Sequence, residues 1–504
     1  MLFKKSIIFL LAVLLFLVSF LVSCDGNPSN KNTVSDSSNL INSGDAGFPY
    51  DDNFDGQTIR IFCVNTARHV YGELQFVPNE EATTSSVSEA VKIRNDYIEE
   101  HYGLNIEVTS AAYPSEEVKE LITAGACDYD IVVDSVDKMV TSVTDNYYWS
   151  LDNIIDLDNP WWDQSSINSL TLNDKHYFVA GDALITDDDN IYLTLFNKKI
   201  YNENSELQNK YGNIYDLVRD GKFTYDVFLE MSKLVSHTDQ NGQWGFYATY
   251  GNLSHSYGST IMVNGAGVAL AEKMDDGSVK LNPGTENAVN VFDKVYEIMS
   301  DKTVTQRAEL IIGQGSATSK YGFTELQAMF EAGRGLFYNT TSSSITRLKN
   351  SPAILDFQFG VLPIPKFNEE QDKYYCSVNR YQSSVIGIPT TNIDNKEATA
   401  FLLEALGYFS DDVTEAYFET TLKLQAIEDD EDAKMLDLIY NNRFYDIGAI
   451  YNWGSSVNPS LVGLYSSVIG DDSTNTLTSK WESIKDAVET DMLNTIDEYK
   501  NNLT

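Results

Sequence analysis

Three of the chain's six tryptophans stand beside polar loop residues: Trp161 in Pro160-Trp161-Trp162-Asp163, Trp244 ahead of Gly245, and Trp453 in Tyr451-Asn452-Trp453-Gly454. An indole offers a flat apolar face and a polar edge, which suits a place where one side stays wet. Such a face can stack on the C–H face of a sugar ring while carboxylates and amides take its hydroxyls. Asp134, Asp182, Asn339 and Arg380 each flank an apolar run, and Arg68 and Tyr381 complete the set of candidate binding residues. A site built of hydrogen-bonding groups rejects solutes that lack the matching hydroxyls. Each candidate also has an ordinary alternative, a core position for an indole or loop capping for Asp and Asn.

Catalytic patterns are weak. The five histidines (His69, His101, His176, His237, His255) form no His-Glu-x-x-His pair. There is no Gly-x-Ser-x-Gly elbow and no phosphate-binding Walker loop, and Gly313-Gln314-Gly315 meets Thr318 where a dinucleotide motif needs a third glycine. Asp187-Asp188-Asp189-Asn190 lacks the ligand spacing and glycine of an EF-hand and reads as a solvated loop between lobes. No metal or cofactor is expected. A surface glycoside hydrolase or lyase stays open as an alternative, because a carboxylate pair cannot be picked out among 74 acidic side chains.

The elements that must position these groups follow from hydrophobic periodicity. Thr58 to Val64 reads as a strand, Val87 to Tyr102 as a helix ended by Gly103, and Leu104 to Thr109 as an alternating strand. A helix starting at Ser115 and a buried strand from Tyr129 to Val133 complete a β-α-β-α-β order, which implies an α/β layer with a mainly parallel sheet. Ligands gather beyond the carboxyl ends of such strands, which points to Asn65, Arg68, Asp134 and Ser135. The stretch from Pro160 to Lys198 carries two β-rich runs, Lys175–Asp182 and Ile191–Lys198, and is placed at the mouth of a cleft. Further on, Asp275-Asp276-Gly277 marks a hairpin, Asn287–Met299 and Phe323–Ala332 are helices, and Leu336–Tyr338, Phe357–Leu362 and Ser383–Ile388 are strands. Ala398–Phe409 is a helix, and the chain from Asp411 onward is mostly helical.

The chain's 504 residues exceed one core and suit two or three domains. A net charge of −39 repels phosphate backbones, so nucleic acid is excluded as a partner. Lys4-Lys5 and the apolar run Ile7–Val22 end in Leu21-Val22-Ser23-Cys24, which resembles a bacterial lipobox with Cys24 as the lipidated residue. A Ser-, Asn- and Asp-rich tether runs from there to about residue 50. Cys63, Cys127 and Cys376 have neither zinc spacing nor an even count and read as buried thiols.

Taken in order, these pieces resemble an extracellular solute-binding protein of a carbohydrate ABC importer, of family 1 type and maltose-binding-protein-like, in a clostridial-type lipoprotein branch. The marks are the lipobox, Asp128-Tyr129-Asp130-Ile131-Val132-Val133, Asn173-Asp174-Lys175-His176-Tyr177, Leu195-Phe196-Asn197-Lys198, Phe330-Glu331-Ala332-Gly333-Arg334-Gly335, Phe359 to Pro365 and Ile386-Gly387-Ile388-Pro389. Tyr417 to Asp446, with Leu422-Lys423, carries the branch likeness. The resemblance implies an α/β, two-lobed periplasmic-binding-protein-like fold of type II, each lobe a mixed, mostly parallel sheet flanked by helices. It implies a signal peptide over 1–23, a lipidated linker over 24–54, a first lobe of 55–187 plus about 381–430, and a second of 188–380 plus about 431–504. It further implies a monomer, held at the cell surface by a lipid anchor, that passes a carbohydrate to ABC permease subunits without breaking a bond. A structural or adhesive surface protein and a receptor for a non-sugar solute such as a peptide remain alternatives.

Overall fold

Two sheets, each assembled from segments far apart in sequence, organise the chain in a computed structural model. It describes residues 47–79, 85–143, 145–315, 319–353, 355–418, 430–471 and 474–501. Cys24 with its leader and most of the tether, Thr318 and Leu422-Lys423 lie outside the described residues. The strands in chain order are β1 (Gln57–Val64), β2 (Leu104–Ala111), β3 (Ile131–Ser135), β4 (Tyr192–Asn197), β5 (Tyr250–Ser254), β6 (Ala271–Lys273), β7 (Val279–Leu281), β8 (Thr305–Arg307), β9 (Gly335–Thr341), β10 (Phe359–Leu362), β11 (Cys376–Ser377), β12 (Ser384–Gly387) and β13 (Arg443–Phe444).

The first lobe's sheet runs β12-β3-β1-β2, with β1 parallel to both neighbours and β12 antiparallel at the edge. Every residue of β3 is buried, as expected of a strand covered on both faces. The helix Ser86–Tyr102 ends where Gly103 takes a φ of 65° and returns its N–H to Glu99, the left-handed cap that glycine adopts without penalty. Order begins earlier than composition suggests. The Phe48 ring lies 5.1–5.8 Å from those of Tyr50, Tyr102, Phe401, Tyr408 and Phe409, so residues expected in the tether already pack on the body.

The second sheet runs β10-β4-β9-β5-β8; β5 is parallel to β9 and β8, and β4 is antiparallel to β9 and β10. A row of polar side chains crosses its interior. Thr194 donates to Asn339 at 2.9 Å, Asn339 to Asn252 at 3.0 Å, and Asn252 to Thr305 at 3.0 Å. Each buried group has a partner one strand away, so the row costs little despite its burial. The hairpin at Asp275-Asp276-Gly277 joins β6 to β7.

Two expectations need correction here. Lys175–Asp182 is not a strand: it holds isolated bridges only, Lys175 with Leu172, Val179 with Ile386 and Gly181 with Trp162. Gly181 is required there, since a Cβ would stand 2.2 Å from the Trp161 carbonyl oxygen. Nor is Asp187-Asp188-Asp189-Asn190 a solvated loop. It closes a short helix, Ile185–Asp188, and Asp187, Asp189 and Asn190 are buried where the chain passes from the first sheet to β4.

Arg443, at the start of β13, makes that burial tolerable: it pairs with Asp188, with Asp163 at 3.2 Å and with Asp187 at 4.0 Å. Tyr445 donates to Asp187, and Tyr417 donates to Asp189 at 2.6 Å. β13 reaches this point by pairing in parallel with β11. The final helix, Leu477–Asn501, is packed at both of its ends. Near its start Trp481 abuts Gly284, and near its end the Tyr499 ring meets Tyr177 at 5.2 Å while Asn173 donates to the Ile496 carbonyl. Among the described residues no helix is long and apolar enough to cross a membrane.

Candidate functional site

The carboxyl ends of β1 and β3 present the first part of the site. Arg68, in the loop after β1, donates to Asp134 at 2.6 Å, to Ser135 Oγ at 2.5 Å and to the Ala112 carbonyl at 2.8 Å. Asp134 is fully buried and also accepts from Ser115 N and Oγ. Its oxygens are thus consumed by the protein, and its work is to aim Arg68. The guanidinium covers the ring of Tyr113 at 4.6 Å, and Lys138 approaches the same ring at 5.1 Å.

From Arg68 an aromatic track leads into the second lobe. Arg68 donates to the Tyr381 carbonyl at 3.2 Å, and the Arg380 guanidinium stands 4.9 Å from the Tyr381 ring. Tyr381 meets Tyr257 edge-on at 6.2 Å; Tyr257 stacks on His255 at 5.9 Å, and His255 touches Phe323 at 5.1 Å. Tyr321 follows at 6.1 Å, with Lys320 over its ring. His255 and Tyr257 come directly after β5, so the track joins the carboxyl ends of parallel strands in both sheets, where helices and loops leave backbone and side chains free for a ligand. The track is open toward both ends and half-buried between them: Tyr381 is 41% exposed, Tyr113 45%, Phe323 47% and Tyr321 56%, whereas Tyr257 and His255 are half-buried. Large exposed rings grouped in this way make the track a candidate binding surface. Burial holds His255 neutral, with a pKa down to about 4, so it offers hydrogen bonds rather than charge.

The structure therefore brings Arg68, Asp134, Arg380 and Tyr381 together and sends the other expected residues elsewhere. Trp161 is buried in the first lobe, edge-on to Tyr408, and its Nε1 donates to Glu404 at 2.9 Å. Trp453 is buried among the C-terminal helices, stacked on Tyr451 at 5.2 Å and donating to Thr495. Neither face is open to a sugar, so the stretch around Trp161 belongs to the lobe's interior and not to a cleft mouth. Asn339 sits mid-strand in the polar row of the second sheet. Trp244 is exposed but packs at 5.3 Å on Tyr250, the first residue of β5, at the strand end remote from the track.

Asp182 lines a separate cavity of about 480 Å³ with Asp411, Glu415, Asp437 and Tyr440. Burial, reinforced by Asp411, pushes its carboxyl up to about 6. Four crowded carboxylates repel one another, and among the described residues no group of three His, Cys, Asp or Glu has the arrangement to hold a metal. The aromatic track is the better candidate for a solute. Sequence reasoning misses Tyr113, His255, Tyr257 and Phe323. Tyr113 follows a strand that periodicity does identify, and β5, with its polar Asn252 and Ser254, carries no clear strand signal.

The model of the bacterial extracellular solute-binding protein family matches residues 81–406. No curated protein matches the chain. Among solved structures, the ABC substrate-binding protein Lmo0181 from Listeria monocytogenes, in complex with cycloalternan, is similar at 13% identity and a TM-score of 0.53, covering 87% of this chain and 99% of that one. The maltose/maltodextrin-binding domain MalE from Bdellovibrio bacteriovorus, bound to maltotriose, is similar at 15% identity and a TM-score of 0.53, covering 86% and 100%. UgpB from Mycobacterium tuberculosis, in complex with glycerophosphocholine, gives 13% identity and a TM-score of 0.53, covering 82% and 98%. At these identities the likeness is one of fold: two lobes, each a mixed α/β sheet.

Proposed function

Starting from a chain that belongs to the bacterial extracellular solute-binding protein family, we propose that it captures a carbohydrate, an oligosaccharide in particular, along the aromatic track and delivers it to an ABC permease. The supporting observation is the run of rings from Tyr113 through Tyr381 and half-buried Tyr257 to Phe323, flanked by Arg68 and Arg380. Rings in series hold successive sugar units by their C–H faces, while the arginines supply hydrogen bonds at the edges. Structural neighbours that hold cycloalternan and maltotriose support the same reading. In this reading Cys24 carries the lipid anchor at the outer membrane face, the lobes divide at the Asp187 crossing and again near residue 380, and the monomer closes on its solute by hinge bending.

A thermal-shift screen of the mature chain against mono- and oligosaccharides tests this. A saccharide at about 100 times its Kd adds about 2.7 kcal/mol of stability, which raises the melting temperature measurably. The saccharide must be recovered intact, and small-angle scattering must show compaction on binding. Release of shortened products would instead establish a hydrolase or lyase. Stabilisation by glycerophosphocholine or peptides with none by any sugar would move the solute class.

A further inference from the structure

Arg380 is the least satisfied cation on the track. Its residue is 5% exposed, and among the described residues its Nε is buried with no hydrogen-bond partner. The carboxylate facing it, Asp137, stands 3.9 Å away, beyond hydrogen-bond range, and Ser135 Oγ already donates to that same Asp137. Arg68, by contrast, spends its donors on Asp134, Ser135 and two carbonyls. A guanidinium N–H removed from water without an acceptor is expensive, and such a group persists where a partner arrives from outside.

The surroundings favour an anion as that partner. The chain carries 74 acidic side chains against 35 basic ones, yet the track collects Arg68, Lys138, Lys320 and Arg380. Two of their charges are balanced locally, Arg68 by Asp134 at 2.6 Å and Lys138 by Glu116 at 2.5 Å. Arg380 is balanced poorly, and Lys320 is held against the Tyr321 ring. Beside Arg380 stand the rings of Tyr381 and Tyr257, apolar walls that lower the local dielectric and strengthen a charge–charge contact. The planar fork of a guanidinium takes a carboxylate or a phosphate through two parallel hydrogen bonds.

We propose that the track selects an acidic saccharide, one bearing a carboxylate or a phosphate ester, whose anionic group docks on Arg380. This rests on reading the track as a saccharide site and narrows the solute it takes. Neutral sugars leave the buried guanidinium with Asp137 alone, at 3.9 Å, and its Nε unpartnered, and bind more weakly for that reason.

Titration calorimetry on the mature chain tests it with matched pairs: oligogalacturonates and oligomannuronates against their methyl esters, and sugar phosphates against the free sugars. The expected result is at least tenfold tighter binding of one acidic member than of its neutral counterpart, a preference that weakens with added salt and is abolished in Arg380→Gln. Preference for the carboxylate pairs or the phosphate pairs decides which anion is the natural one. Equal or tighter binding of the neutral members in the unmodified protein overturns the inference while leaving the saccharide receptor standing. No binding of any saccharide, charged or neutral, overturns both. The wild-type comparison does not depend on the folding of the variant, and circular dichroism of Arg380→Gln verifies that its own result reports binding.

Discussion

Replacing Arg443 with methionine should expose how the acidic segment between the first sheet and β4 is held. The methionine stem keeps much of the packing but removes the guanidinium that Asp163, Asp187 and Asp188 share, and the side chains of Asp163 and Asp187 are almost wholly buried. Breaking a buried pair by deleting one partner costs about 3–5 kcal/mol, because the other charge is left uncompensated. The loss should depend on pH with a definite sign. Burial already holds Asp187 up at about 7 and Asp188 at about 6, well above the ordinary carboxylate range, while Arg443 pulls both down. Without Arg443 both rise further. A carboxyl whose folded pKa lies above its unfolded value favours the fold at low pH and loses that advantage as pH climbs through the folded pKa. The penalty for Arg443→Met is therefore largest near pH 8 and shrinks toward pH 5, where the carboxyls are protonated and need no cation. Urea unfolding followed by tryptophan fluorescence at pH 5, 6.5 and 8 measures it. A cost under ~1 kcal/mol at pH 8, or one equal at pH 5 and 8, refutes the reasoning.

Other substitutions separate structural from binding roles. Trp161→Phe removes one donor from the buried Glu404 carboxylate and should cost about 1.5–3 kcal/mol by denaturant melts, with saccharide affinity untouched. Asn339→Ala strands Thr194 and Asn252 within the second sheet and should cost about 1–3 kcal/mol in the same assay, again without altering affinity. Tyr381→Ala does the reverse: the ring is 41% exposed, so stability should stay within about 0.5 kcal/mol while calorimetric affinity for the cognate saccharide falls at least tenfold.

How far the sequence can be read depends on whether a residue's partners are local. The strands β1, β2 and β3, the Gly103 cap and the helix Ser86–Tyr102 follow from periodicity and neighbours, and all are legible. Arg68 and Arg380 are legible too, because position after or before an apolar run is itself a local signal. Three successive aspartates read as solvated, because ionised carboxylates are rarely buried. Their compensating cation lies 255 residues away at Arg443, beyond any local reading. Trp161 and Trp453 mislead for a related reason: their polar neighbours suggest solvent, while their acceptors, Glu404 and Thr495, come from helices 243 and 42 residues on.

The last helix turns the geometry of the two lobes into a question of leverage. Its 25 residues make a rod about 37 Å long, seated by Trp481 at one end and Tyr499 at the other. A rod fastened at both ends acts as a brace, and spreading the parts it joins means unseating one of its footings. At the Tyr499 footing the ring meets those of Tyr177 and Tyr451, and Asn173 donates to the Ile496 carbonyl. Trimming the chain short of Ile496 would remove this footing and leave every ring of the aromatic track in place.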